Sequence, residues 1–396
     1  MALGELVEET QYGTADKANE HGRGMPVLRM NNITNTGGVD LNDVKHVELP
    51  AKDVERYSVR RGDLLFNRTN SRELVGKMAV WNRDESYAYA GYLIRLRLKQ
   101  GVAAPPFVAA WFNTPEMKAR LRARAKPSIN MSNISATDVL EFPVRLPRSL
   151  AEQRRIADVL DRAEALRAKR REALAQADSL SRAIFHDLFG NTATNTRHWQ
   201  ATKTLGDVAD IVSGVTKGRA LSGKATQEVP YLAVANVQDR ALDLTSVKQI
   251  QATAEEIARY RLLRDDLLLT EGGDPDKLGR GTLWNGELAE CIHQNHIFRV
   301  RILSDQLDPV FLNWLVGSER GKRYFLRSAK QTTGIASINM SQLKGFPLLL
   351  PPLALQQEFA RRIAAVEKLK AAHRAFLTQL DELFASLQHR AFRGEL

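Results

Sequence analysis

Apolar and polar positions along the chain follow two different rhythms. Short stretches such as "DLLFN", "KMAVW" and "YLIRLRL" are apolar or alternate over strand lengths. "PPFVAAWFNTPEMKARLRARA" and "DPVFLNWLVGSERGKRYFLRSA" read as helices that open at a proline. Regions of this mixed kind predict α+β globular domains with polar loops.

The second rhythm occurs in two stretches of about 40 residues that contain no internal Gly or Pro. Their apolar residues recur at three- and four-residue steps over several heptads, with charged flanks, which predicts a coiled coil. Each helix would be roughly 60 Å long. We expect the two helices to pack antiparallel; the alternative is that each packs on its own globular domain. The predicted stripe includes Ile156, Leu160, Ala163, Leu166, Leu174, Ala177, Leu180, Ile184 and Leu188, then Ile363, Val366, Leu369, Phe376, Leu380, Leu383 and Leu387.

The chain also repeats itself at a shift of about 203 or 204 residues. "RYSVRRGDLLF" aligns with "RYRLLRDDLLL", "VGKMAVW" with "LGRGTLW", and "FPVRLP" with "FPLLLPP". "SINMS" occurs at Ser128–Ser132 and again at Ser337–Ser341, a shift of 209 that predicts a five-residue length difference in the loop that follows. We expect both copies to form one common element that buries its Ile and Met.

A repeat of this length indicates a domain duplication. The paired positions Trp81/Trp284, Tyr57/Tyr260 and Trp111/Trp314 are expected in the cores. The predicted fold class is α+β, with two duplicated domains separated by a long antiparallel two-helix coiled coil. The predicted boundaries are 1–148 for the first domain, 149–190 for its long helix, 191–199 for a linker, 200–350 for the second domain and 351–396 for the second helix.

Composition narrows the class of protein. The net charge of +11 favours a polyanionic partner. The alternative is a basic protein that has no such partner. No apolar run reaches the roughly 18 residues of a spanning helix. No signal peptide is visible, and the single Cys291 fits a reducing compartment, so we expect a cytoplasmic protein.

Catalytic motifs are missing from the sequence. Neither a phosphate-binding G-x-x-x-x-G-K-[ST] loop nor an H-E-x-x-H motif occurs. "CIHQNH" would place Cys291, His293 and Asn295 on one side of a strand, but no second Cys/His pair completes a tetrahedral set. We therefore predict neither a catalytic centre nor a metal site.

Two phrases carry a family resemblance. Each domain closes with "F-P-x-x-L-P" and leads into its long helix, as "FPVRLPRSLAEQRRIADVL" and as "FPLLLPPLALQQEFARRIAAV". With "GDLLF", "VGK" and "QNHIFRVR", this resembles the specificity (S) subunit of type I restriction-modification systems over essentially the whole chain. The second copy departs from the pattern at "LQQEF", where "AEQRR" is expected, so contacts there are expected to differ.

The resemblance implies a non-catalytic, prokaryotic DNA-specificity subunit. Each domain would be a target-recognition domain that reads one half of a bipartite double-stranded DNA site, and the helices would fix the unread gap. Two methylation (M) subunits would dock and bind S-adenosylmethionine, and restriction (R) subunits would use ATP and Mg²⁺. This chain would bind no cofactor itself. The alternative from another class is a coiled-coil scaffold whose domains bind protein.

DNA contact would come from polar loops, because amide and guanidinium groups read base edges and cationic or hydroxyl groups hold phosphates. Ordinary solvated loop side chains are the alternative for each position. The candidate residues are Asn67, Arg68, Asn70, Arg72, Lys77, Lys126, Ser128, Asn130, Lys217, Arg219, Thr270, Asp274, Lys277, Arg280, His293, Gln294, Asn295, Ser337 and Asn339.

Overall fold

The fold was analysed in a computed structural model that describes residues 1–274, 278–332 and 335–396, without the side chains of 331, 332 and 335. The chain forms two compact units, residues 1–172 with 373–396 and residues 173–372. The boundary between them falls inside each of the two long helices. The first unit combines two separate stretches of chain, and the second is continuous. The predicted domain boundaries stay a prediction.

The first unit begins with a mixed domain, and its elements run in this order. They are α1 (Leu3–Leu6), β1 (Val7–Tyr12), β2 (Met25–Leu28), β3 (Lys45–Val47), α2 (Ala51–Val54), β4 (Leu64–Asn67), β5 (Thr69–Asn70), β6 (Met78–Val80), β7 (Ala88–Tyr89), β8 (Leu93–Leu98), α3 (Pro105–Phe112), α4 (Pro115–Arg124), β9 (Lys126–Ser128), β10 (Met131–Asn133), α5 (Ala136–Leu140) and α6 (Leu150–Phe189), which continues into the second unit.

The second unit repeats this order with a small extra hairpin. Its elements are β11 (Ala209–Ser213), β12 (Gln227–Leu232), β13 (Val237–Gln238), β14 (Ala241–Leu242), β15 (Lys248–Ala252), α7 (Ala254–Tyr260), β16 (Leu267–Thr270), β17 (Gly272–Gly273), β18 (Gly281–Leu283), β19 (Ile292–His293), β20 (Ile297–Ile302), α8 (Pro309–Val316), α9 (Glu319–Ser328), β21 (Lys330–Thr332), β22 (Ile335–Ser337), α10 (Met340–Lys344) and α11 (Leu353–Ala391).

Three sheets recur in both units with the same strand order. The antiparallel sheet β1-β8-β4-β6 corresponds to β11-β20-β16-β18, and β3-β2-β7 corresponds to β15-β12-β19. The small sheet β5-β10-β9 corresponds to β17-β22-β21. In each β3-β2-β7 type sheet, one pair is antiparallel and the other parallel. Identical order in all three sheets confirms the duplication and the α+β class.

The cores use the residues that the duplication aligns. Trp81 and Trp284 are fully buried, and Trp111 and Trp314 nearly so, as expected. Tyr57 and Tyr260 are only half-buried. A buried ion pair is repeated as well: Asp63 accepts from Arg97 at 2.8 Å, and Asp266 accepts from Arg301 at 2.7 Å. Carboxylates inside a core require such partners.

The long helices run to 40 and 39 residues and pair antiparallel within each unit. In the first unit, Arg167 donates to Asp381 at 2.6 Å and Arg170 lies 3.1 Å from His373. In the second, Lys370 meets Asp178 at 2.7 Å, and the rings of Phe185 and Phe359 are 5.4 Å apart. Residue numbers thus rise along one helix as they fall along the other, as in an antiparallel pair.

Both long helices also pack on globular cores. The alternative packing, on the helix's own domain, holds for the start of each helix, whereas the end of α6 packs on the core of the second unit. Ile156 and Leu160 join Phe107 in one core, and Phe189 and Phe359 join the main core of the second unit. The middle of the predicted stripe is not fully buried. About half of the side chain is exposed at Leu166, Leu180, Leu369, Phe376 and Leu383.

The two SINMS copies are not structural counterparts. Ser128–Ser132 forms a β-hairpin in which Ser128 pairs with Met131, and Ile129 at its tip is 92% exposed. Ser337–Ser341 ends β22 and starts α10, and its Ile338 is 1% exposed. The predicted common element and the five-residue slip are therefore wrong, because the shift stays at 204 through this region.

Candidate nucleic-acid interface

Five of the sequence-predicted DNA contacts are buried instead of lying on solvated loops. Asn67 and Lys77 hold the segment after β2: Asn67 donates to the Met30 carbonyl at 3.2 Å, and Lys77 donates to the Ile33 carbonyl at 2.5 Å. Burial lowers the pKa of Lys77. Asn70 is 8% exposed within β5. The loop expectation was wrong here because polar residues lie within or beside strands.

The buried pair in the second unit is Thr270 and His293, both fully enclosed. The Thr270 hydroxyl donates to the Arg280 carbonyl at 3.3 Å, and His293 Nδ1 donates to the Ile297 carbonyl at 3.0 Å. Burial lowers the pKa of His293 to about 4, so the ring is neutral at pH 7. A Cβ at Gly214 would lie 1.9 Å from the His293 carbonyl, so only glycine fits that crossing.

Two further candidates are occupied by internal partners. Arg219 forms a two-pronged ion pair with Glu256 and donates to the Gln251 carbonyl at 2.9 Å. Arg280 donates to the Gln238 side chain at 2.7 Å. Both guanidinium groups therefore already order their own loops. Lys277 lies outside the described residues.

The remaining candidates reach the surface. In the first unit they cluster about the hairpin formed by β9 and β10, where Asn130 adopts a left-handed turn with φ of 57°. In the second, Asn339 caps α10 by accepting from the Gln342 amide at 2.9 Å. The exposed or partly exposed candidates are Arg68, Arg72, Lys126, Ser128, Asn130, Lys217, Asp274, Gln294, Asn295, Ser337 and Asn339. Their contact with DNA stays a prediction.

Beside the small sheets, one backbone position recurs in both units and carries side chains of opposite charge. The Arg68 amide donates to the Tyr92 carbonyl at 3.0 Å, and the Arg68 carbonyl accepts from Ile134 at 2.9 Å. The Glu271 amide donates to the His296 carbonyl at 2.9 Å, and the Glu271 carbonyl accepts from Ile338 at 2.9 Å. Arg68 and Glu271 are thus structural counterparts.

The side chains at this position have different neighbours. The Arg68 guanidinium lies over the Tyr12 ring, 5.1 Å from its centroid. Glu271 accepts from His296 Nδ1 at 2.6 Å. Sequence reasoning missed Tyr12, Glu271 and His296, although the 203–204 shift aligns Arg68 with Glu271 and would have pointed to the pair.

Among the described residues, neither a metal site nor a membrane-spanning helix is found. Within residues 1–274, 278–332 and 335–396, no group of three or more His, Cys, Asp or Glu side chains is arranged to hold a metal ion. Burial raises the pKa of the Cys291 thiol to about 12. No helix in the same ranges is long and apolar enough to cross a membrane.

Comparison with known families decides which class of protein this is. The profile of the "Type I restriction modification DNA specificity domain" matches residues 1–176 and 197–381, once for each repeat. The chain belongs to this family. The two matches follow the duplicated sheets, so the family resemblance inferred from the "F-P-x-x-L-P" phrases is confirmed.

Individual family members cover most of the chain. The specificity subunit of the type I restriction enzyme StySPI from Salmonella potsdam is 26% identical over 393 residues, covering 94% of this chain and 82% of that subunit. The EcoKI specificity subunit from Escherichia coli is 29% identical over 230 residues, covering 56% of this chain and 47% of that subunit.

Solved structures support the fold. A type I restriction-modification S subunit from M. genitalium aligns with a TM-score of 0.58 at 14% identity, covering 99% of this chain and 95% of that one. A chain from a structure of type I system assembly and conformational transition aligns at 0.52 and 17% identity, covering 100% and 97%.

Proposed function

We infer that this specificity-family chain reads a bipartite DNA site, each globular domain contacting one half. The observation that carries the proposal is the duplication: all three sheets recur in the same order, and a long helix follows each domain. Two readers on one chain impose a fixed relation between two half-sites, as dimeric DNA readers do. Avidity then multiplies two modest affinities.

The helix pair supports a spacer role. Its antiparallel contacts include charge pairs and aromatic contacts within each unit, for example Arg167 with Asp381 and Phe185 with Phe359. A helix pair held in one register would fix the length of the unread gap between half-sites. The half-exposed apolar side chains on these helices suit docking of two M subunits.

Chemistry would come from the partners of this chain. M subunits would bind S-adenosylmethionine and methylate an adenine in each half-site, and R subunits would supply ATP- and Mg²⁺-dependent translocation and cleavage. This chain would bind none of these cofactors and would act as the non-catalytic reader of a complex in the prokaryotic cytoplasm. The net charge of +11 suits a reader that shares phosphate contacts with such subunits.

Methylome sequencing tests the proposal directly. Co-expression of the full chain with its M partner should produce adenine methylation at a bipartite sequence with a constant gap. Methylation at one continuous motif, or none above the M subunit alone, would contradict it.

The scaffold alternative makes a different prediction about binding. A DNA reader should lose affinity steeply between about 50 and 200 mM salt, because phosphate contacts release counterions. A scaffold that binds protein through these domains should show little salt-dependent DNA affinity. Fluorescence anisotropy of the complex with labelled duplex DNA separates the two.

A further inference from the structure

Arg68 and Glu271 occupy one backbone position of the duplicated fold and carry opposite charges. Asp63 and Asp266 are a duplicated pair that keeps its chemistry, since each accepts from an arginine. Arg68 and Glu271 have the same backbone hydrogen bonds yet carry opposite charges. Because the backbone bonds are the same while the side-chain charge is reversed, the side chain at this position suits a task that differs between the two domains.

The place of this position suits contact with a ligand. Residue 68 directly precedes β5, and residue 271 directly precedes β17. These strands stand at the same edge of the small sheets β5-β10-β9 and β17-β22-β21. β5 pairs with β10, and β17 pairs with β22. In the first unit, exposed Lys126 begins β9 of this sheet, and exposed Arg72 follows β5. A surface with cations of this kind beside it would hold a phosphate backbone.

The side chains are available at the surface. Glu271 is 32% exposed and His296 55% exposed. A carboxylate has about four lone-pair sites, so accepting one bond from His296 leaves capacity for another donor. The Arg68 guanidinium packs on the Tyr12 ring, and its Nε has no hydrogen-bond partner among the described residues.

Charge decides what each side chain can bind on DNA. Glu271 repels phosphates, so on a DNA-facing surface its favourable partner is a base donor, the N4 amino group of cytosine. Arg68 can donate two hydrogen bonds to O6 and N7 of guanine. Opposite charges at one backbone position would thus let two copies of a fold read different bases.

We propose that Arg68 and Glu271 are equivalent specificity-determining residues, Arg68 selecting guanine in one half-site and Glu271 selecting cytosine in the other. His296 is a positioning residue that orients the Glu271 carboxylate. The inference rests on the proposed function, because it names the base chemistry read by each domain.

The test replaces each residue with glutamine in the full chain, co-expressed with the M partner. Glutamine pairs with adenine N6 and N7. Glu271→Gln should change one position of one half-site from cytosine towards adenine, and Arg68→Gln should change one position of the other half-site from guanine towards adenine. At the original base, methylation should fall about tenfold. The unchanged half-site serves as the internal control in each variant.

Matched controls make the same chemical changes at exposed positions elsewhere. Glu255→Gln and Arg83→Gln should leave both half-sites unchanged. Competition with duplexes carrying single-base changes gives a second readout that does not require methylation, and thermal unfolding reports on folding.

The outcomes separate the inference from the function on which it rests. If the wild-type complex methylates a bipartite site but both glutamine variants keep its sequence, the inference is overturned and the proposed function stands. A variant that melts earlier and binds no duplex would also overturn it, by assigning the residue to the fold. If the wild type shows no bipartite methylation, both fall together.

Discussion

The two SINMS segments have the same five letters and different structures. In Ser128–Ser132 the isoleucine stands at a hairpin tip in solvent, whereas in Ser337–Ser341 it lies in the main core of the second unit. The true counterpart of Ser337–Ser341 is Asn133–Thr137, at the same shift of 204 as the rest of the repeat. Ile134 and Ile338 are both buried, and Ser135 and Asn339 both cap the helix that follows.

This comparison shows that position in the fold decides what a residue does. Ser135 and Asn339 differ in type, yet each accepts a hydrogen bond from an amide in the first turn of its helix, at 3.0 and 2.9 Å. Either side chain suits an N-cap because each has an oxygen within reach of those amides. Short identical strings in a duplicated chain are thus weaker evidence of equivalence than a constant shift.

Alanine at the isoleucines gives the largest expected effect. Ile338→Ala and Ile134→Ala should each lower the free energy of unfolding by about 3 kcal/mol, through lost burial and the cavity that remains. Ile129→Ala should change it by less than about 0.5 kcal/mol, because that side chain is already in water. Urea unfolding of the full chain measures all three. An Ile129 variant as unstable as the Ile338 variant would restore the idea of a shared buried element.

The opposite comparison comes from the phrases "AEQRR" and "LQQEF", which look different but share a function. Gln153 accepts from the Ala104 amide at 2.8 Å and donates to the Pro147 carbonyl at 3.0 Å. Gln356 accepts from the Asp308 amide at 2.9 Å and donates to the Pro351 carbonyl at 2.8 Å. Both side chains are buried and tie each long helix to the start of a helix in its domain. The contacts of this glutamine are therefore alike in the two units, although a difference was expected for the phrase as a whole.

Removing either glutamine should lower the free energy of unfolding by about 2 kcal/mol, because a buried amide and a buried carbonyl would each lose a hydrogen-bond partner. Gln153→Ala and Gln356→Ala should therefore lower the urea midpoint by similar amounts. Gln357→Ala is the matched control, since that neighbour is exposed and should behave like wild type. A lower urea midpoint for only one of the two variants would mean that the contact stabilises the two domains unequally.

Prediction from the sequence succeeded where physical constraints act over many residues. The α+β class, the duplication and the long helices rest on periodicity and on a constant shift, and both survive divergence of single side chains. The site was harder to predict, because residue type does not report burial. Asn67, Thr270 and His293 look like loop polar groups, but each satisfies a backbone or neighbouring group inside the fold. Glu271 gives no signal by its residue type, and only the constant shift that aligns it with Arg68 points to it.

One ion pair marks a difference between the domains. In the second unit, Thr253 caps α7 by accepting from the Glu256 amide at 3.2 Å, and the Glu256 carboxylate accepts from the Thr253 amide at 3.0 Å. The corresponding cap in the first unit is Pro50, which has no side-chain acceptor, and its helix α2 is only four residues long. Arg219 is thereby fixed on Glu256 in the second domain alone.

The smallest expected effect follows from this pair and depends on pH. The Arg219 side-chain hydrogen bond, helped by the Thr253 amide, lowers the pKa of Glu256 to about 2 from an ordinary value of 4.5. A carboxylate with a lowered folded-state pKa stabilises the fold above pH 4.5, and the effect is lost as pH falls from 4.5 towards 2. Glu256→Gln should thus be less stable than wild type by about 1 kcal/mol at pH 7, because partial exposure weakens the pair.

Urea unfolding between pH 7 and pH 2 measures this difference in stability, which should disappear by pH 2. The exposed control Glu255→Gln should be as stable as wild type throughout. A difference that persists at pH 2 would mean that the shape of Glu256, and not its charge, stabilises the fold.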